Sequence, residues 1–148
     1  MKKIIAAIDF SDASDLVLKK ALEISKGLGA ELHLVHVFEP EPTYTAYGFT
    51  ALEFPAIHTF QEEARERAEK ALAHRVEGLN GDEVVVIGKL LIGGPVSSIL
   101  EYARAHGADL VVVGSHGHGA MAAMFLGSAA EGMVRKNEVP VLVVPAKE

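Results

Sequence analysis

Residues 114–128 read GSHGHGAMAAMFLGS, with four glycines, two histidines, two serines and no lysine or arginine. Glycine permits positive φ and close backbone approach, so successive N–H groups can converge on an anion. Counted out, the stretch is Gly114-x2-Gly117-x9-Gly127-Ser128, placed after an apolar run and before a helical pattern. A helix starting at Ser128 adds unpaired N–H groups and the positive end of its dipole. Phosphate can be held in this way without a cationic side chain. The competing reading is structural: Gly114 and Gly117 make a turn, and Ser128 with Glu131 forms a capping box. Spacing alone leaves both open.

Other chemistries find less support. No G-x-x-x-x-G-K-[ST] occurs, so there is no P-loop. GHGAMA (117–122) fits the relaxed G-x-G-x-x-A dinucleotide form, but no acidic residue ends the next strand to hold a ribose. His116 and His118 supply two imidazoles, whereas tetrahedral zinc wants three or four ligands and no third is evident. No dedicated metal site is expected. His33 and His36, at i and i+3 on a strand, point to opposite faces. His106, near a helix end, suits the dipole. There is no G-x-S-x-G elbow. Phosphoryl transfer needs acids beside the phosphates, and only Asp9 and Glu131 are near the loop, so any hydrolysis should be slow. No catalytic residue is assigned.

These residues must be positioned by a framework. Lys2–Asp9, Leu32–Phe38, Glu83–Leu91, Asp109–Gly114 and Val139–Pro145 are short apolar runs rich in branched residues, read as strands. Their near-continuous hydrophobicity predicts a parallel sheet covered on both faces. Between them lie helical patterns. The first starts at Ser11 or Asp12, carries Ala13, Leu16, Val17, Ala21, Ile24 and Leu28 on its apolar face, and stops at Gly27 and Gly29. The second covers about 57–76, the third runs from Pro95 to Gly107 burying Val96, Ile99, Leu100 and Ala103, and the fourth follows Ser128 with Ala129, Met133 and Val134 as inward candidates. The order βαβαβαβαβ predicts one α/β domain over 1–148, an open parallel five-stranded sheet with helices on both faces. Such sheets bind ligands where the strand order reverses, at the carboxyl ends of the first and fourth strands, next to Asp9 and Gly114. The connection Glu39–Ala56 is long, and its Tyr44, Tyr47 and Phe49 suit either a lid or a dimer contact.

Composition bounds the partners. A formal charge of −6 and no basic stripe argue against nucleic acid. There is no cysteine, hence no disulfide or thiolate site. The opening MKKIIAAIDFSD is too short in its apolar part for a signal peptide, and no run approaches a membrane span, so a cytoplasmic location is expected by default. VPVLVVP would form a sheet edge with few charges to guard it.

The chain as a whole resembles the universal stress protein family, in its ATP-binding type. The resemblance is carried by AAIDFSDAS, LVHVFEP, GGPVSSILEYARAHGADLVVVGSHG, the G-x2-G-x9-G-[ST] spacing and the closing VPVLVVP. It implies a Rossmann-like fold of the adenine nucleotide alpha hydrolase kind, and ATP as ligand. Asp9 would face the nucleoside, the Val37 backbone the adenine, and Val113 and Gly114 the ribose and phosphates. His116, Gly117, Gly127, Ser128 and Ala129 would cradle the phosphate chain. Members often carry a basic or polar residue after the second glycine; here His118 and Gly119 follow. Neutralisation would then rest on backbone dipoles, a protonated His116 and Mg2+ or Mn2+ on the phosphates. The resemblance further implies a stress-adaptation role and a homodimer paired through Val139–Pro145. A slow ATPase or adenylate-transfer enzyme, and a nucleotide-free interaction dimer, are the alternatives.

Overall fold

A computed structural model describes residues 2–40, 55–79, 83–115 and 126–147. Strands and helices alternate as β1 (Lys3–Ala7), α1 (Asp12–Leu28), β2 (Glu31–Phe38), α2 (Pro55–Glu77), β3 (Val86–Ile92), α3 (Pro95–His106), β4 (Leu110–Gly114), α4 (Ser128–Lys136) and β5 (Val141–Val144). The strands form one parallel sheet in the order β3-β2-β1-β4-β5. The order reverses between β1 and β4, where the sequence places the ligand crevice.

Alternate residues of the central strands face opposite layers, which is why these strands read as unbroken apolar runs. Ile4, Ala6, Leu32, Leu34 and Val112 pack with Val17, Leu18 and Ala21 of α1 and Leu72 of α2. Ile5, Val35, Val111 and Val113 pack with Ile99, Leu100 and Ala103 of α3 and Ala130 and Met133 of α4. Helices therefore cover both faces.

Several boundaries differ from the sequence expectation. β3 begins at Val86, three residues later than the apolar run suggests, and β5 is confined to Val141–Val144 between Pro140 and Pro145. Proline lacks the N–H that a ladder rung needs, so it trims the strand at both ends. Gly27 stays inside α1, while Gly29 ends the helix in the left-handed conformation at φ 61. The buried stripe of α1 is Ser14, Val17, Leu18, Ala21 and Ser25, so two serines occupy core positions and Leu28 is left exposed. In α4 the buried residues are Ala130 and Met133, with Val134 outside. Both edges of the sheet are strands: β3, with Lys89 in its middle, and β5, which is all valine and leucine. Among the described residues no helix is long and apolar enough to cross a membrane.

Candidate functional site

The crevice is built at the ends of three adjacent strands. β1 finishes at Ala7, and the Ile8 N–H makes one further rung to the Val35 carbonyl at 2.9 Å. The chain then turns sharply, because Phe10 sits at φ 64. A bulky residue at positive φ is strained and persists only where its surroundings over-determine it. They do so here. Asp9 Oδ1 accepts from the Ser11 N–H at 3.0 Å, the Ser11 hydroxyl at 2.5 Å and the Ser14 hydroxyl at 2.8 Å. The Asp9 N–H in turn donates to Ser14 Oγ at 3.0 Å. From β2, His36 Nδ1 donates to the Ile8 carbonyl at 2.7 Å, and its ring lies 4.5 Å from that of Phe10. A carbonyl only accepts, so the proton sits on Nδ1.

On the other side of the crevice, Val113 and Gly114 end β4 opposite Val143 and Val144. The Ser115 N–H extends that ladder to the Val144 carbonyl at 2.8 Å, and the Gly127 N–H returns to the Ser115 carbonyl at 2.6 Å. This closure brings the start of α4 to the end of β4. Gly127 is the N-cap, with φ −60 and ψ 151, and Ser128 and Ala129 open the helix. The first-turn N–H groups of a helix lack intrahelical partners and carry partial positive charge.

The capping box read from Ser128 and Glu131 does not form. The helix begins one residue earlier than that motif needs, so Ser128 already has helical geometry and no side chain caps the turn. The Glu131 N–H bonds the Gly127 carbonyl at 2.9 Å, and its carboxylate accepts from Arg135 at 2.6 Å.

Of the sequence-derived site residues, Asp9, Val113, Gly114, Gly127, Ser128 and Ala129 thus gather at the β1–β4 reversal. Val37 lies on β2, in register with Leu91 and packed against the α3–α4 layer, so its backbone is at the same end of the sheet. His116 and Gly117 lie outside the described residues, as do Tyr44, Tyr47 and Phe49. Sequence reasoning missed Phe10, Ser14 and His36. Ser14 had a signal, since a serine inside a helical stripe of core positions invites a buried partner. No residue type announces that a phenylalanine will adopt positive φ.

His33 and His106 lie at the opposite end of the sheet. His33 is 3% exposed, with Nε2 on Glu31 Oε1 at 2.5 Å and Nδ1 on Tyr102 Oη at 2.7 Å. Its hydrogen bond holds the Glu31 carboxyl below its ordinary range. Burial, with the Glu31 charge second, pushes the Tyr102 phenol up. His106 stacks on Tyr102 at 3.9 Å and donates from Nδ1 to the Tyr102 carbonyl at 2.9 Å. Two open grooves, one along α1 beside Val84 and one between α2 and β3, do not touch Asp9 or the start of α4. Among the described residues no cluster of His, Cys, Asp and Glu has metal-site geometry.

An open parallel α/β sheet with a glycine-flanked helix terminus at its strand reversal defines a domain of the doubly wound class, in which ligands bind at such reversals. Within that class the chain belongs to the universal stress protein family, whose model matches residues 1–145. A universal stress protein of Thermus aquaticus is 34% identical over 144 residues, covering 97% of this chain and 98% of that protein. The solved universal stress protein UspA from Lactobacillus plantarum superposes with a TM-score of 0.82 at 23% identity, covering 97% of both chains. A universal stress protein solved in complex with cAMP matches with a TM-score of 0.59 at 26% identity, covering 99% of this chain and 98% of that one.

Proposed function

We propose that this chain, acting as one domain over its full length, binds an adenine nucleotide, ATP or a close relative, in the crevice between Asp9 and the start of α4. The observation that carries the reading is the convergence of the Asp9 turn with the Gly127–Ser115 closure at the strand reversal. In this reading Asp9 faces the nucleoside, the Val37 backbone meets the adenine, and Val113 and Gly114 border the ribose. His116, Gly117, Gly127, Ser128 and Ala129 hold the phosphates. The related protein solved with cAMP supports a ligand of this chemistry.

The donor set fits a phosphate, because N–H groups and a serine hydroxyl donate to anionic oxygen. It does not fit a protein-held metal, so Mg2+ or Mn2+ would arrive on the phosphates. The physiological role is stress adaptation in the cytoplasm, by ligand-dependent association rather than turnover. The uncharged β5 edge pairs with its copy in a homodimer. Purified protein is denatured and the released small molecules identified, and melting is compared with and without about 1 mM Mg–ATP or AMP, well above a micromolar Kd. Release of an adenine nucleotide or a clear rise in Tm supports binding. Neither effect, for either nucleotide, rejects it.

A further inference from the structure

β3 is an edge of the sheet, and its backbone is open on one side. The Leu32 N–H reaches the Val85 carbonyl at 2.9 Å, and the Gly93 N–H reaches the Phe38 carbonyl at 3.1 Å. Successive residues of a strand aim their N–H and C=O groups to opposite sides, so Val85, Ile87, Lys89, Leu91 and Gly93 bond β2. Val86, Gly88, Leu90 and Ile92 turn theirs outward, where no strand of the described residues meets them. Side chains divide in the same alternation. Lys89 and Leu91 are in register with Val35 and Val37, on the face that α3 and α4 cover. The cover stops short of β3. Val85 is 63% exposed, Ile87 41%, and Lys89 is exposed with no ion pair among the described residues. On the other face, Gly88 lets α2 come close, since a Cβ there would lie 2.7 Å from Val76 Cγ2. The groove between α2 and β3 is lined there by Glu69, Leu72, Ala73 and Glu77.

An open apolar edge invites another strand, and a central lysine restricts which. Pairing Val86–Ile92 antiparallel with its own copy centres the two-fold on Lys89. Two ammonium side chains then stand directly opposite, with Cβ atoms about 4.5–5.5 Å apart, which is destabilising. β5 carries no such charge. We propose that the β3 edge docks an extended segment of a different protein, apolar–x–acidic–x–apolar in pattern, as a further strand. Its backbone pairs with the outward groups of Val86, Gly88, Leu90 and Ile92. Its Asp or Glu stands opposite Lys89, and apolar side chains two positions to either side cover Ile87 and Leu91. The pattern reads the same in both directions, so parallel and antiparallel entry both satisfy it. The intervening residues face the α2 groove, whose Glu69 and Glu77 suit small or basic side chains.

Nuclear magnetic resonance titration of the full chain with acetylated, amidated Thr-Val-Ser-Glu-Ser-Val-Thr reads the site directly. Binding should be weak, with a Kd on the order of 0.1–1 mM for so small a contact. Shifts and slowed hydrogen exchange should fall on the N–H groups of Val86, Gly88, Leu90 and Ile92, leaving Val141–Val144 of β5 unmoved. Replacing the peptide's Glu by Lys should weaken binding about three- to tenfold, as the cross-strand pair turns from attractive to repulsive. In Lys89→Glu the order of the two peptides should invert, and in Ile87→Ser both should weaken. Absence of any shift by about 2 mM peptide, above the expected Kd, overturns the proposal. So do shifts confined to β5, or equal binding of the two peptides by the parent chain. Concentration-dependent protection of the same N–H groups without peptide assigns the edge to a second copy, and equally overturns it.

Discussion

Ser14→Ala probes the joint between fold and site. Ser14 is 4% exposed, and its hydroxyl both donates to Asp9 Oδ1 and accepts from the Asp9 N–H. Alanine removes both bonds and leaves the Asp9 N–H facing a methyl group. Orphaning a shielded donor costs about 1–3 kcal/mol, with the carboxylate still served by Ser11. Alanine's better helix propensity returns about 0.5 kcal/mol. The net loss of about 0.5–2.5 kcal/mol corresponds to a Tm lower by about 1–10 °C in a chain of this size. Ser11→Ala is the comparison. Its backbone N–H keeps donating to Asp9, so it should cost about 0.5–1 kcal/mol. Under the nucleotide reading proposed above, the strained Phe10 turn aims Asp9, so loosening it should reduce the competent fraction and weaken nucleotide binding by about three- to tenfold. Differential scanning calorimetry and titration calorimetry on both variants test this. A Ser14→Ala Tm within 1 °C of the parent, on the order of calorimetric reproducibility, would refute the over-determined turn. A lowered Tm with unchanged affinity would remove Asp9 from the binding site.

Gly132→Ala should destabilise, although alanine favours helix, because a Cβ there would lie 2.7 Å from Val96 Cγ2 on α3. Overpacking costs about 1–3 kcal/mol against a propensity gain of about 1. Chemical denaturation should show the loss, with rescue by Val96→Ala, and a rise in stability would contradict the close α3–α4 contact. Tyr102 ionises at higher pH in the folded chain than in the unfolded one, mainly through burial. Its contribution is therefore complete below about pH 10 and is lost as pH rises through the folded value, so Tyr102→Phe should flatten the alkaline limb of the stability curve. The Asp109 carboxyl is held low by the Lys2 and Lys3 N–H groups, at 2.8 and 3.0 Å. It stabilises above the ordinary carboxylate range and loses that contribution as pH falls, so Asp109→Asn should show a weaker pH dependence of Tm in acid.

The fold was legible because burial on both faces writes itself into composition: Ile4–Ile8, Leu32–Val37 and Val111–Val113 can only be central strands. The reversal point followed from connectivity, and with it the placing of Asp9 and Gly114 at the same end of two neighbouring strands. Strand ends were harder to read, since Glu83–Val85 is as apolar overall as β3 itself and nothing local says where pairing begins. The capping box failed by one residue, within the margin by which helix starts drift when glycine serves as N-cap. Phe10 and His36 were hidden for a different reason. Their role depends on a ring contact and a carbonyl contact between two strands, which no periodicity encodes.

The hydrogen bond between Gly127 and the Ser115 carbonyl ties together the two ends of the glycine segment. A segment stapled at its base behaves as an exchangeable cassette: its composition can drift, lengthen or be replaced without disturbing the ladder beneath. The sheet and the terminus of α4 would go on presenting whatever the cassette contains. Chimeras that swap only 116–126 between relatives should therefore keep the recipient's stability and, under the nucleotide reading proposed above, inherit the donor's ligand preference.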